Sequence, residues 1–243
     1  MSNSRIAWLS PGDPVDAFPP LEAAMREPDG LLAAGGDLSV ERLLYAYRNG
    51  IFPWYDDGQP LLWWSPDPRC VLFPGDLHVS RRLRRTVKHS GAEIRFNTDF
   101  GQVIRACAAP RASQPGTWIT VDMVAAFEQL QKERWAHSIE VWENGELSGG
   151  VYGLAIGRVF FGESMFSRKP NASKMALLAL MHYLRNGPFE LLDCQVISGH
   201  LLSLGARLIP RTAFASALER LCDPSHRFEN WPSDPIAVCE LLQ

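Results

Sequence analysis

Residues 138–165 read SIEVWENGELSGGVYGLAIGRVFFGESM, and this stretch decides the fold. Polar and apolar side chains alternate through Ser138, Ile139, Glu140 and Val141, the two-residue period of a half-buried strand. Asn144-Gly145 follows. That pair suits a two-residue hairpin turn, because both central positions of the turn need a positive φ. Leu147 to Ile156 is then the return strand, Gly157 turns the chain again, and Arg158 to Met165 runs outward once more. Three antiparallel strands in a row are expected.

Downstream, Asn171 is placed to cap a helix over Ala172 to Leu184 that ends at Gly187, and Phe189 to Gln195 is another apolar strand. A strand–helix–strand unit makes its two strands parallel with a right-handed crossover, so this strand should lie beside the third. That arrangement is the core of the GCN5-related acyltransferase fold. Two helices, about 197–204 and 211–222, and an irregular tail complete the chain. Upstream, Thr120 should cap a helix to about Arg134, Phe100 to Ala108 is helical, Glu93 to Phe96 is a short strand, and His78 to Lys88 is a basic helix. Residues before 68 are rich in Pro, Gly and Trp. Pro19 to Arg26 reads as a short helix, and Ser39 caps another through Arg48, stopped by Gly50. Pro53, Pro66 and Pro68 exclude regular helix around them. The expectation is an α/β (α+β) protein: a small N-terminal domain, residues 1–67, and an acyltransferase-like domain, residues 68–243.

Composition narrows the chemistry. The 243 residues hold 46% hydrophobic and 21% charged residues, which excludes a disordered chain. No run of 18 apolar residues exists, so no membrane span is expected, and the polar segment Met1 to Ser10 does not read as a signal peptide. Cys70, Cys107, Cys194, Cys222 and Cys239 are scattered without a CxxC, as suits reduced thiols in a cytoplasmic protein. The six histidines form no HExxH pair, so no metal is expected. There is no GxxxxGK[ST] and no GxGxxG, which argues against nucleotide hydrolysis and dinucleotide chemistry. A net charge of -3 and a pI near 6.1 argue, as an average, against a nucleic-acid partner. The local exception is Arg81, Arg82, Arg84, Arg85 and Lys88, five cations in eight residues on the basic helix. An acyl-CoA-dependent N-acyltransferase is the alternative that the fold suggests. It needs a glycine-rich turn that lets backbone amides cradle a pyrophosphate, and Ser167 to Ser173 contains no glycine.

Eight segments, in order, carry a resemblance: PDGLLAAGGDLS (28–39), YRNGIFPW (47–54), WWSPDPR (63–69), GTWIT (116–120), HSIEVW (137–142), GESMFS (162–167), NASK (171–174) and LDCQ (192–195). Together they resemble bacterial leucyl/phenylalanyl-tRNA–protein transferases over about residues 15 to 215. The resemblance implies transfer of Leu or Phe (Met less well) from aminoacyl-tRNA to the N-terminal Arg or Lys of a protein, marking it for degradation by the N-degron pathway. It implies no cofactor, since the ester-to-amide step runs downhill without ATP.

The same resemblance assigns residues. Trp54 and Trp118 would stack on the terminal adenosine, with Tyr47 assisting. Val151, Phe160, Met165, Leu177, Leu180, Leu184 and Leu192 would wall the aminoacyl side-chain pocket, with Phe127 nearby. Val151 replaces a common Met, and Phe127 stands where some relatives have Tyr. Gln195, Asp193 and Glu163 would be the catalytic group. Gln195 would orient the amine or ester, since a neutral carboxamide barely accepts a proton. Asp193, on the same face by strand alternation, would fix Gln195 or attract the cationic acceptor, and Glu163 would bind an ammonium or guanidinium. The basic helix would contact the tRNA acceptor stem. Trp63 and Trp64 are expected to pack at the domain junction.

Overall fold

A computed structural model describes residues 6–110, 118–223, 225 and 227–242. The expected polar start before residue 6, and Gly116 and Thr117 of the GTWIT segment, lie outside the described residues. Strands β1 (Ala7–Leu9), β2 (Leu31–Gly35), β3 (Phe52–Pro53) and β4 (Leu62–Trp64) form one sheet in the order β1-β2-β4-β3. A second sheet holds β5 (Arg69–Leu72), β6 (Glu93–Phe96), β7 (Ala136–Glu143), β8 (Glu146–Ile156), β9 (Val159–Ser167), β10 (Leu191–Gln195), β11 (Arg207–Ile209) and β12 (Ile236–Ala237). Its order is β11-β5-β10-β9-β8-β7-β6-β12. The helices are α1 (Val40–Arg48), α2 (Arg81–Lys88), α3 (Phe100–Ala108), α4 (Val121–Lys132), α5 (Ala172–Asn186), α6 (Gly199–Ser203) and α7 (Arg211–Leu221).

The hairpin expected at Asn144-Gly145 forms, with φ of 55° and 79° at the two positions. β7, β8 and β9 run antiparallel, and β10 runs parallel to β9, with Leu192 beside Phe160 and Asp193 beside Phe161. β8 is long and buried, and β9 is long and only half-buried from Gly162 to Met165. A bulge between Tyr152 and Gly153 bends them. A Cβ at Gly153 would collide with Phe161 O, so only glycine permits the bend.

Both faces of the large sheet are covered. α5 crosses one face and buries Met175, Leu177, Leu178, Leu180, Met181 and Leu184 there, each contributing about 1.5–3 kcal/mol. Gly149 makes room for its first turn, since a Cβ there would stand 2.5 Å from Ala172 Cβ. On the other face α3, α4 and α7 share one core with Leu43, Tyr47, Phe52 and Trp63 of the first 64 residues.

Several local expectations change. Asn171 takes φ of 68° and gives no side-chain cap to α5; Ser167 Oγ accepts from Ser173 N instead, at 2.8 Å. Ser39 likewise makes no cap bond, and its own N–H donates to Asp37 Oδ1. Pro19 to Arg26 yields only a 3-10 turn at Leu21–Ala23. Trp63 is fully buried and donates to Gly35 O, while Trp64 packs on Trp54 at 5.7 Å between centroids.

Candidate active site

The site forms where β10 ends against the middle of β9, beside the loop after β3. Trp54 follows Pro53 at the end of β3, and Trp118 precedes the α4 cap Thr120 by two residues. Tyr55 Oη and Thr120 Oγ1 share a hydrogen bond of 3.0 Å, which brings the two tryptophan segments together. Trp54 is 41% exposed, unusual for the largest apolar side chain, and Trp118 is half-buried. Both line a cleft of about 480 Å³, together with Phe52, Glu163, Gln195 and Ile197. An adjoining apolar pocket of about 220 Å³ shares Trp118, Glu163, Cys194, Gln195 and Leu201 with that cleft.

The apolar pocket contains Val151, Met165, Leu177, Leu180 and Leu192 of the expected wall. Val151 and Met165 are register partners across β8 and β9. Three residues expected at or near the wall do not line it, and Tyr47, expected beside the adenosine, lines neither cavity. Phe160 sits beside Leu192 but is fully buried behind the wall, and Leu184 lies two turns of α5 beyond Leu177, past the pocket's end. Phe127 is core, packed edge-on against Tyr152 at 5.4 Å. Tyr47 is fully buried against Phe161, and its hydroxyl faces Glu163 from behind rather than the cleft. Cys194, Ser164 and Leu201 line the pocket without having been expected. Leu201 was legible only as one apolar residue of a short helix, with nothing to aim it.

Gln195 and Asp193 part company. A bulge falls between them in the β10–β5 ladder, and Gln195 takes φ of 52°, so simple alternation no longer applies. Gln195 lines both cavities, and its Nε2 donates to Glu163 Oε1 at 3.4 Å. Asp193 lines neither. It is fully buried, and Arg69 grips both its oxygens, Nε to Oδ1 at 2.8 Å and Nη2 to Oδ2 at 2.7 Å. With Arg69 neutralising its charge, Asp193 has nothing to offer a cationic acceptor. Its link to the cleft is the Gln195 N–H, which donates to Oδ1 at 3.0 Å. Losing one partner of such a buried pair typically costs about 3–5 kcal/mol.

Glu163 is enclosed by protein except where it opens to the cleft. Burial pushes its carboxyl up to about 8; the nearby Asp193 adds to this, while Tyr47 and Arg69 pull the other way. Between the ordinary carboxylate range and about 8, the folded chain therefore holds one proton that the unfolded chain has lost. Stability must fall as pH rises through that window and stay low above it. Glu163→Gln removes the effect. The variant should unfold at the wild-type temperature near pH 4.5 and about 5 °C above it at pH 9, after allowing for solvent in the cleft. Equal thermal melting of the two proteins at pH 9 would contradict the burial argument.

The basic helix α2 is capped by Ser80 Oγ, which accepts from Leu83 N. Leu83 and Val87 face the core, leaving Arg81, Arg82, Arg84, Arg85 and Lys88 exposed and, among the described residues, without an ion-pair partner. The turn leading into it is tied to the end of α6, which carries Leu201, by His78 N–H to Leu204 O at 2.9 Å. Among the described residues no group of three or more His, Cys, Asp or Glu could hold a metal, and no helix is long and apolar enough to cross a membrane.

Residues 71–219 match the family model for leucyl/phenylalanyl-tRNA protein transferase, and residues 36–67 match the model for that family's N-terminal domain. The chain is 58% identical over 220 residues to a leucyl/phenylalanyl-tRNA–protein transferase of Pseudomonas paraeruginosa, spanning 90% of this chain and 96% of that protein. It is 57% identical to one of Stutzerimonas stutzeri over 88% of this chain and 93% of that protein. For one of Pseudomonas aeruginosa the identity is 56%, over 90% and 96% of the two chains. A family model that spans most of the chain, and relatives this similar along nearly all of it, leave one conclusion: the chain belongs to the leucyl/phenylalanyl-tRNA–protein transferase family.

Proposed function

We propose that the protein transfers Leu or Phe from aminoacyl-tRNA to the N-terminal Arg or Lys of acceptor proteins in the cytoplasm, marking them for degradation through the N-degron pathway. The observation that carries this reading is the junction of the tryptophan-lined cleft with the apolar pocket at Glu163 and Gln195. The terminal adenosine stacks on Trp54 and Trp118, and the aminoacyl side chain enters the pocket between Val151, Leu177 and Leu180. The ester carbonyl is then left beside Gln195.

The chemistry follows from those positions. The acceptor reacts as the free amine, a minor form near neutral pH because an α-amino group ordinarily titrates at about 8; its first proton goes to solvent, and Glu163, which burial keeps largely protonated at that pH, serves as a hydrogen-bonding partner rather than as a base. The freed amine attacks the ester carbon. The C–N bond forms, the bond to the ribose oxygen breaks, and that oxygen receives the second amine proton. Gln195 aligns the partners by hydrogen bonding, and proximity supplies much of the rate. We further assign residues 1–67 to a supporting domain and 68–243 to the catalytic one.

The basic helix grips the acceptor stem. Replacing Arg81, Arg84 and Arg85 together by Gln raises the donor KM about tenfold at physiological salt, and lowers the slope of log KM against log salt by about 2 to 3. An unchanged KM would remove α2 from the interface. The whole reading is tested with labelled Leu-tRNA or Phe-tRNA and a protein bearing an N-terminal Arg. Label should enter the protein, and label in solution only would defeat the proposal; an acyl-CoA donor in a parallel reaction should transfer nothing.

A further inference from the structure

Arg69 opens β5 directly after a proline-rich segment, and its guanidinium is wholly inside the protein. Nε and Nη2 hold Asp193, and Nη1 donates to Gly50 O at 3.0 Å. The Phe52 and Phe214 rings approach it, with centroids 4.8 and 4.6 Å from Cζ. So many fixed contacts leave Arg69 one geometry, and through it Asp193 has one as well. Asp193 Oδ1 in turn accepts the Gln195 N–H. At Gln195 the chain leaves the strand with φ of 52°, and Val196 N–H closes onto Cys194 O at 2.7 Å. A three-residue turn of this hand around a non-glycine residue is rare and strained, and it persists only where its surroundings enforce it.

We propose that Arg69 is a positioning residue for the transfer reaction: through Asp193 it holds Gln195 in its left-handed turn and so aims the carboxamide into the cleft. Arg69 and Asp193 touch no substrate. They act on the geometry of Gln195, and the inference rests on the reading of Gln195 given above. A displacement of about 1 Å at such a group is enough for about 100-fold in rate.

The test is a double-mutant cycle on the full chain, scored as kcat and donor KM per folded molecule, with folding read by near-ultraviolet circular dichroism. Arg69→Lys keeps the charge but cannot reach both Asp193 oxygens and Gly50 O together. Asp193→Asn keeps the volume and one acceptor oxygen. Each should lower kcat about 100-fold with donor KM within about twofold. In a Gln195→Ala background each should change kcat by less than about threefold, because there is no longer a carboxamide to aim. A purely structural role predicts equal losses in both backgrounds, and that result overturns the proposal, as does wild-type kcat in Arg69→Lys. Failure of both variants to fold would assign the pair to folding and overturn it too. Wild-type turnover of Gln195→Ala is a different failure, since it defeats the reading of the site itself.

Discussion

Gln195→Ala is expected to lower kcat by about 100- to 1,000-fold while donor KM stays within about threefold, the signature of an interaction made at the transition state. The carboxamide lines the cleft and the pocket together, 3.4 Å from Glu163, where an ester carbonyl and an incoming amine would meet. It has no proton to take up at neutral pH, so its contribution is donor and acceptor geometry. Gln195→Glu tests that distinction, because a carboxylate can accept a proton but cannot donate the Nε2 hydrogen bonds. If hydrogen-bond geometry is what matters, Gln195→Glu should be as slow as Gln195→Ala. Single-turnover transfer at saturating Leu-tRNA measures this directly. A Gln195→Glu rate above wild type would instead make the position a general base.

The second large effect falls on the tryptophans. Trp118→Ala should raise donor KM about 5- to 150-fold, the range spanned by one lost base-stacking contact of about 1–3 kcal/mol. Trp54→Ala should do the same at the lower end, because its ring is more exposed. Phe at either position keeps an aromatic face and should restore most of the loss, whereas Leu should not. Equilibrium binding of Leu-tRNA by filter retention separates this from any effect on chemistry. Equal affinity of wild type and Trp118→Leu would show that the ring packs against protein only.

Much of the fold could be read from residues 138–195, for physical reasons. Strands β7 to β9 are long, joined by an Asn-Gly turn and a glycine, and followed by a helix with an unbroken apolar face. Local signals of that kind need no distant partner. The strands that went unseen are short and depend on partners far along the chain. β5 is four wholly buried residues without alternation, and β10, its neighbour, lies more than 100 residues away. Two prolines just before β5, Pro66 and Pro68, made the segment read as irregular. Arg69 was hidden for the same reason. A charge heading the apolar run Cys70-Val71-Leu72 signals a buried, paired cation, but nothing local names Asp193 as its partner.

Within the site, the wall residues came from the family resemblance, and the pocket holds five of them, Val151, Met165, Leu177, Leu180 and Leu192. Phe160, Leu184 and Phe127 were assigned on the same footing yet stand behind the lining, and Tyr47, expected beside the adenosine, is buried as well, because the depth of an apolar side chain is not written in its local sequence. The bulge at Asp193 and Gln195 was the costliest omission. One extra residue in the ladder separated two side chains that alternation had placed together. An average net charge of -3 says nothing of where charge sits, and the five cations of α2 lie on one short exposed helix.

A crystal structure with a non-hydrolysable phenylalanyl-adenosine analogue tests the central claim most directly. The account predicts adenine stacked on Trp54 and Trp118, the phenyl ring between Val151, Leu177 and Leu180, and the carbonyl within hydrogen-bond distance of the Gln195 carboxamide. An analogue bound with its side chain outside that pocket, or with its carbonyl turned away from Gln195, would contradict it.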